Sequence, residues 1–125
     1  MPSAATLDAF IAAVESGEHV KAIEDFYSEH ASMRENQAEP RKGRATLEAH
    51  ESAVLARTAS VTSTCVHPVF VNGDHVVIRW IFRFTGNDGR TMRIEELAWQ
   101  RWEGERIVQE QFFYDPKQFA PRRPS

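Results

Sequence analysis

Three polar, glycine-bearing turns cut the second half of this chain into segments of similar length: Asn72-Gly73-Asp74, Gly86-Asn87-Asp88-Gly89 and Glu103-Gly104-Glu105. Between them side chains alternate with a period of two, as strands require. Asn-Gly between apolar runs is a strong hairpin signal, because a type I′ turn needs positive φ at both centres. The spacing predicts four consecutive strands over 60–71, 75–85, 90–102 and 106–114. Pro68, inside the first of them, has no N–H to give a ladder, so an edge or a bulge is expected there.

The first half reads as helix. Leu7, Phe10, Ile11 and Val14 form one apolar stripe over Ala4–Ser16, and Ser16-Gly17 is a plausible stop. A second helix is expected over His19–Ser28, with Val20, Ile23, Phe26 and Tyr27 inward. Residues 31–36 read as a short strand and Pro40 to Gly43 as a turn. A third helix is expected over Arg44–Arg57; its stripe of Leu47, His50, Glu51, Val54 and Leu55 mixes polar with apolar residues. Helices followed by strands indicate an α+β fold, since a parallel α/β sheet needs the two to alternate. One domain spanning 1–125 is expected, with the Pro-rich, basic segment 117–125 as an extended tail.

Composition narrows the function classes. A net charge of −3 argues against a nucleic-acid partner, which favours a basic surface. Cys65 is the only cysteine, so neither an intrachain disulfide nor a cysteine-rich zinc site is available. His19, His30, His50, His67 and His75 show no ligand spacing, and no metal site is expected. There is no phosphate loop, dinucleotide fingerprint or nucleophile elbow, so no cofactor is expected. No apolar run is long enough to span a membrane, and the first residues lack the features of a secretory signal; a cytoplasmic location is expected.

The two faces of the expected sheet differ. Val76, Ile78, Trp80, Phe82 and Phe84 share one face with Met92, Ile94, Glu96, Ala98, Gln100 and Trp102, and with Val108, Glu110, Phe112 and Tyr114. This is the face for the helices to cover. The other carries Leu97, Trp99 and Phe113 among Arg79, Arg83, Arg93, Glu95, Arg101, Gln109 and Gln111. Such a mixture suits a subunit interface, and a homodimer through this outer face is expected; the alternative is a solvated face with a few exposed aromatics. Glu96 and Glu110 on the inner face are costly to bury unless paired, protonated or solvated in a cavity. With a three-residue loop at Glu103–Glu105, Ala98 opposes Glu110 and the two carboxylates become diagonal neighbours; a two-residue loop breaks that register.

With these residues in place, the chain resembles the SnoaL-like branch of the nuclear-transport-factor-2-like superfamily. The resemblance rests on Phe10-Ile-Ala-Ala-Val-Glu-Ser-Gly17, Phe26-Tyr27, Gly43, Gly73-Asp74, Trp102-Glu-Gly-Glu-Arg-Ile-Val108 and the Phe-Phe-Tyr-Asp-Pro run at 112–116. It implies three N-terminal helices on a strongly curved, mixed or antiparallel sheet. Together they form a cone with an apolar pocket for a small hydrophobic molecule, usually in a dimer. The superfamily holds isomerases, cyclases, epoxide hydrolases, dehydratases and non-catalytic binders, so the fold alone does not name a reaction. The ketosteroid isomerase base falls on Glu35, but that family's oxyanion donors fall on Phe10 and Ala98, which cannot donate. The His and Asp of SnoaL-type cyclases fall on Ala98 and Phe112. The Asp–Arg–Asp set of the epoxide hydrolases is not evident.

Candidate chemistry follows. Glu35 would be a carboxylate base, or else a surface partner of Arg34 or Arg41. Glu96 and Glu110 would supply a second acid or a hydrogen-bond donor, or else be buried structure bonded to Tyr27, Tyr114, Gln100 or His50. His50 would be an acid/base partner or a satisfied half-buried histidine. Tyr27, Asn36 and Tyr114 would orient a polar ligand group. Trp80, Phe82, Phe84, Phe112, Trp102 and Met33 would line a cavity or fill a core. The expected function is a cofactor-free isomerase, hydratase or hydrolase on a small hydrophobic substrate; the alternative is a non-catalytic binder with the same pocket.

Overall fold

Ser3 opens the first helix, α1 (Ala4–Glu15), by accepting a hydrogen bond from the Thr6 amide at 3.1 Å, a side-chain N-cap. Gly17, at φ +88°, ends it in the left-handed conformation that glycine takes without strain. The second helix, α2, runs His19–Phe26. It stops two residues earlier than its periodicity suggests because Tyr27 is already extended. The strand β1 occupies Tyr27–Glu35 rather than 31–36, and its backbone is recruited into the sheet. After β2 (Arg41–Lys42) comes α3 (Arg44–Ala56). The meander then follows as β3 (Thr58–Asn72), β4 (His75–Gly86), β5 (Thr91–Glu103) and β6 (Arg106–Phe113). The computed structural model describes residues 1–119. Pro116–Phe119 form a 3-10 turn instead of the expected extended tail, and the rest of that tail lies outside the described residues.

The six strands lie in the order β2-β1-β6-β5-β4-β3. Only β1 and β6 pair in parallel; the remaining pairs are antiparallel, so the sheet is mixed. Pro68 behaves as its chemistry requires: β3 is an edge strand, and its register with β4 breaks between Val66 and Phe70.

The last hairpin departs from the expected register. Glu103 pairs Arg106 around a two-residue turn, and Trp102 pairs Ile107. A bulge then leaves Val108 unpaired, so that Arg101 meets Gln109. Ile107 is therefore the inward residue, fully buried, and Val108 is not. Beyond the bulge the even positions face inward again, and Glu110 opposes Gln100 rather than Ala98. The two carboxylates are not diagonal neighbours.

The helices cover one end of the inner face. There Phe10 packs edge-on against Phe26 and Trp102, with centroids 5.6 and 5.9 Å apart. Val76, Ile78 and Trp80 are buried beneath them, whereas Phe82 and Phe84 further along β4 are only half-buried. That gradient marks where the helices stop covering the sheet and a cavity begins. Trp102 does not line the cavity; it is a core residue whose indole N–H donates to Gln100 Oε1 at 3.0 Å. Among the described residues, no helix is long and apolar enough to cross a membrane.

Candidate functional site

The cavity between helices and sheet has a volume of about 1730 Å3 and is open to solvent. One wall is aromatic: Trp80 stacks on Phe82 at 5.7 Å, Phe84 follows, and Phe112 and Met33 lie nearby on the strands that continue the sheet. Glu35, Glu96, Glu110, His50, Tyr27 and Tyr114 also line it. Of the residues singled out from the sequence, Asn36 does not. At φ +49° it turns the chain out of β1. Its amide donates to Phe112 O at 2.7 Å, its Oδ1 accepts from the Tyr114 amide at 3.1 Å, and its carbonyl accepts from Gln111 Nε2 at 2.6 Å. The backbone groups and Oδ1 of Asn36 are thus engaged by the fold, and the residue is not part of the cavity lining.

At the buried end of the cavity, four residues form a hydrogen-bonded chain. Trp102 donates to Gln100, Gln100 Nε2 donates to Glu110 Oε2 at 2.6 Å, and the Tyr27 hydroxyl donates to Glu110 Oε1. Burial pushes the Glu110 carboxyl up to about 7, against the pull of the Tyr27 and Gln100 hydrogen bonds. Burial also holds the Tyr27 phenol well above its ordinary range, so it stays a donor. Both Glu110 oxygens are occupied by protein donors, as a buried polar network demands.

Glu96 is treated differently by the fold. It sits opposite Trp80 on the inner face, lines the cavity and, among the described residues, has no hydrogen-bond partner for its carboxyl. Burial first, then the neighbouring carboxylates Glu110, Glu35 and Glu51, push it up to about 8. At neutral pH it therefore carries a proton and presents an O–H to the cavity.

Glu35 forms a two-pronged ion pair with Arg41, at 2.7 Å to Nη2 and 3.2 Å to Nη1. Arg34 instead reaches Gln111 at 3.2 Å. The pair is partly buried and both members line the cavity. Tyr114 lies close enough to feel Glu35 and Glu96: its phenol is raised by burial and then by those two carboxyls.

His50 lines the cavity with no side-chain hydrogen bond among the described residues. A second histidine, not singled out from the sequence, is held more firmly. His19 Nδ1 lies 3.2 Å from Glu51 Oε1, and its Nε2 lies 2.8 Å from Ser63 Oγ. The ring thus bridges the third helix and β3 through both of its nitrogens. The ring also packs edge-on against Phe82 at 6.2 Å. Glu51 on the inward stripe of the third helix was the one available signal, since a carboxylate there needs a partner.

A cone of three helices on a curved mixed sheet, open on one side, is the nuclear-transport-factor-2-like fold. The chain belongs to the SnoaL-like domain family, whose model matches residues 7–110. Solved structures agree on the fold. A protein with a ketosteroid isomerase-like fold from Catenulispora acidiphila, in complex with trimethylamine, superposes with a TM-score of 0.77 at 18% identity, covering 93% of this chain and 89% of that one. TerC, co-crystallised with polyporic acid, superposes at 0.77 with 12% identity, covering 91% and 92%. An NTF2-like protein of unknown function from Burkholderia pseudomallei superposes at 0.75 with 14% identity, covering 88% of each. At these identities the likeness establishes the fold alone. No curated protein matches the sequence significantly.

Proposed function

We propose that the protein is a cofactor-free acid–base enzyme acting on a small, largely apolar carbonyl compound bound in the cavity. The observation that carries this reading is Glu96: a carboxyl without a partner among the described residues, protonated at neutral pH, at the edge of an aromatic wall. A neutral acid in such a place donates a hydrogen bond to an oxyanion as it forms. Glu35, oriented by Arg41, supplies the complementary carboxylate. In this reading Glu35 takes a proton from the carbon next to the carbonyl. The carbonyl oxygen gains charge and is held by the O–H groups of Glu96 and Tyr114. Return of the proton to another carbon gives an isomerase; its delivery by Glu35 to a β-hydroxyl, which leaves as water as the carbon–carbon double bond forms, gives a dehydratase. Two structural neighbours crystallised with small organic molecules are consistent with a ligand site in this fold.

Turnover of a panel of cyclic and aryl ketones by the native protein, Glu35→Gln and Glu96→Leu tests this. Loss of an oxyanion donor costs about 100-fold to 1000-fold in kcat, and loss of the base about 100-fold or more. Binding by thermal shift with no turnover by the native protein would leave the non-catalytic binder as the better reading, and turnover unchanged in both variants would overturn the roles given to Glu35 and Glu96.

We also propose that two copies pair through the outer face of the sheet. Leu97 and Phe113 oppose each other in the β5–β6 ladder and are 44% and 40% exposed. Phe70, 65% exposed, pairs Val77, which in turn pairs Trp99. A contiguous apolar stripe of this kind is unusual on a monomer. Light scattering coupled to gel filtration reads the state directly, and Leu97→Asp with Phe113→Asp converts a dimer to monomer.

A further inference from the structure

The rim of the cavity carries a different charge from its interior. Arg57, Arg90, Arg93 and Lys117 line it as exposed cations, with the carboxylates Asp88 and Asp115 among them. Pairing leaves the excess in place. Arg90 reaches Asp88 at 3.5 Å, and Arg93 reaches Glu95 only at 3.7 Å, where Arg79 already holds that carboxylate. Among the described residues, Arg57 and Lys117 have no carboxylate within ion-pair distance. Arg57 spends only its Nε, on the Ala53 carbonyl at 3.2 Å, which leaves both terminal nitrogens to the rim.

Lys117 is held in place rather than trailing. Beyond Phe113 the strand β6 has ended, and the Gln118 side chain takes over part of its role. Its Oε1 accepts from the Glu95 amide at 2.8 Å and its Nε2 donates to the Glu95 carbonyl at 3.0 Å. Asp115 Oδ1 accepts from the Lys117 amide at 2.9 Å. Phe119 packs edge-on against Tyr114, with centroids 5.4 Å apart. The turn bearing Lys117 is thereby fastened to β5 at the cavity mouth.

We propose that the ligand is an amphipathic acid: a planar apolar body against Trp80 and Phe82, a carbonyl at Glu96, and a carboxylate at the rim, drawn there by the cations Arg57 and Lys117. This deepens the acid–base reading and rests on it for the carbonyl end. The rim cations are solvated, so each contributes modestly and in a salt-dependent way. A neutral analogue of the same shape loses that contribution and keeps the aromatic wall.

Calorimetric titration of the full chain with 4-(2-naphthyl)-4-oxobutanoate and with its methyl ester tests the proposal. The acid is expected to bind about threefold to tenfold more tightly than the ester at low ionic strength, with the advantage shrinking as salt is added. The double variant Arg57→Gln, Lys117→Gln should erase the advantage and leave ester affinity unchanged. Equal or tighter binding of the ester, or an advantage that survives in the double variant, overturns the proposal. If the ester binds as well as the acid and Glu96→Leu weakens both, this proposal fails and the acid–base reading stands. If neither probe binds, the ligand class is wrong, and the turnover comparison alone decides the acid–base reading.

Discussion

Glu96 and Glu110 lie on neighbouring strands, face the same side of the sheet and are both lifted by burial, to about 8 and about 7. They differ in what meets them. Glu110, 2% exposed, receives Tyr27 on one oxygen and Gln100 on the other. Glu96 faces the cavity and receives no protein donor among the described residues. The first is a structural carboxyl whose cost of burial is offset by hydrogen bonds; the second keeps its hydrogen-bonding capacity for whatever enters the cavity. Residue type and sheet face do not separate the two roles. The number of satisfied oxygens does.

The widest separation should appear on removing each carboxyl. Glu110→Leu strands the Tyr27 hydroxyl and the Gln100 amide in the core, at about 1–3 kcal/mol each, so a loss of about 4 kcal/mol in urea unfolding is expected. Glu96→Leu strands nothing and should be neutral or stabilising at pH 8. A greater loss at Glu96 than at Glu110 would break the contrast.

The histidines provide a second, smaller test of the same rule. His19→Ala frees Glu51 and Ser63 and should cost about 2 kcal/mol, whereas His50→Ala, which breaks no hydrogen bond, should stay within about 0.5 kcal/mol.

The pH dependence sharpens the comparison further. Both carboxyls have folded values above the ordinary 4.5, so between 4.5 and the folded value the native state holds protons that the unfolded chain has released. Stability therefore falls as pH rises through that window, on the order of 1 kcal/mol per pH unit for each group. The Glu110 contribution ends near 7 and that of Glu96 near 8. Thermal midpoints between pH 7 and 8 should consequently lose their slope in Glu96→Gln and keep it in Glu110→Gln.

Much of the fold was legible because it rests on local rules. The stripe of Leu7, Phe10 and Ile11, the hairpin at Asn72-Gly73 and the edge position enforced by Pro68 each follow from a few neighbouring residues. The candidate site was legible in part. Glu35, Glu96, Glu110, Tyr27 and Tyr114 do share the cavity, and Glu35 does meet Arg41. Whether Glu96 and Glu110 touched was not legible, because it depended on the length of the turn between Glu103 and Arg106 and on a bulge at Val108 that no residue there announces. Asn36 looked like a ligand contact because its amide is polar, yet its partners are backbone groups of Phe112 and Tyr114 and the side chain of Gln111, at the far end of the chain.

By itself the sequence determined the order of the three helices and of the four meander strands, the inward face of β4 and β5, and the presence of carboxyls on a face that should be apolar. Those follow from periodicity and turn chemistry, which act over a few residues. Tertiary structure alone decided which carboxyl is satisfied and which is not. It joined His19 to Glu51 and Ser63, 32 and 44 residues away, and it set Lys117 at the cavity mouth through the Gln118 latch. Hydrogen-bond partners of that kind are selected by register and by the curvature of the whole sheet. A one-residue shift in pairing reassigns them without altering any local pattern.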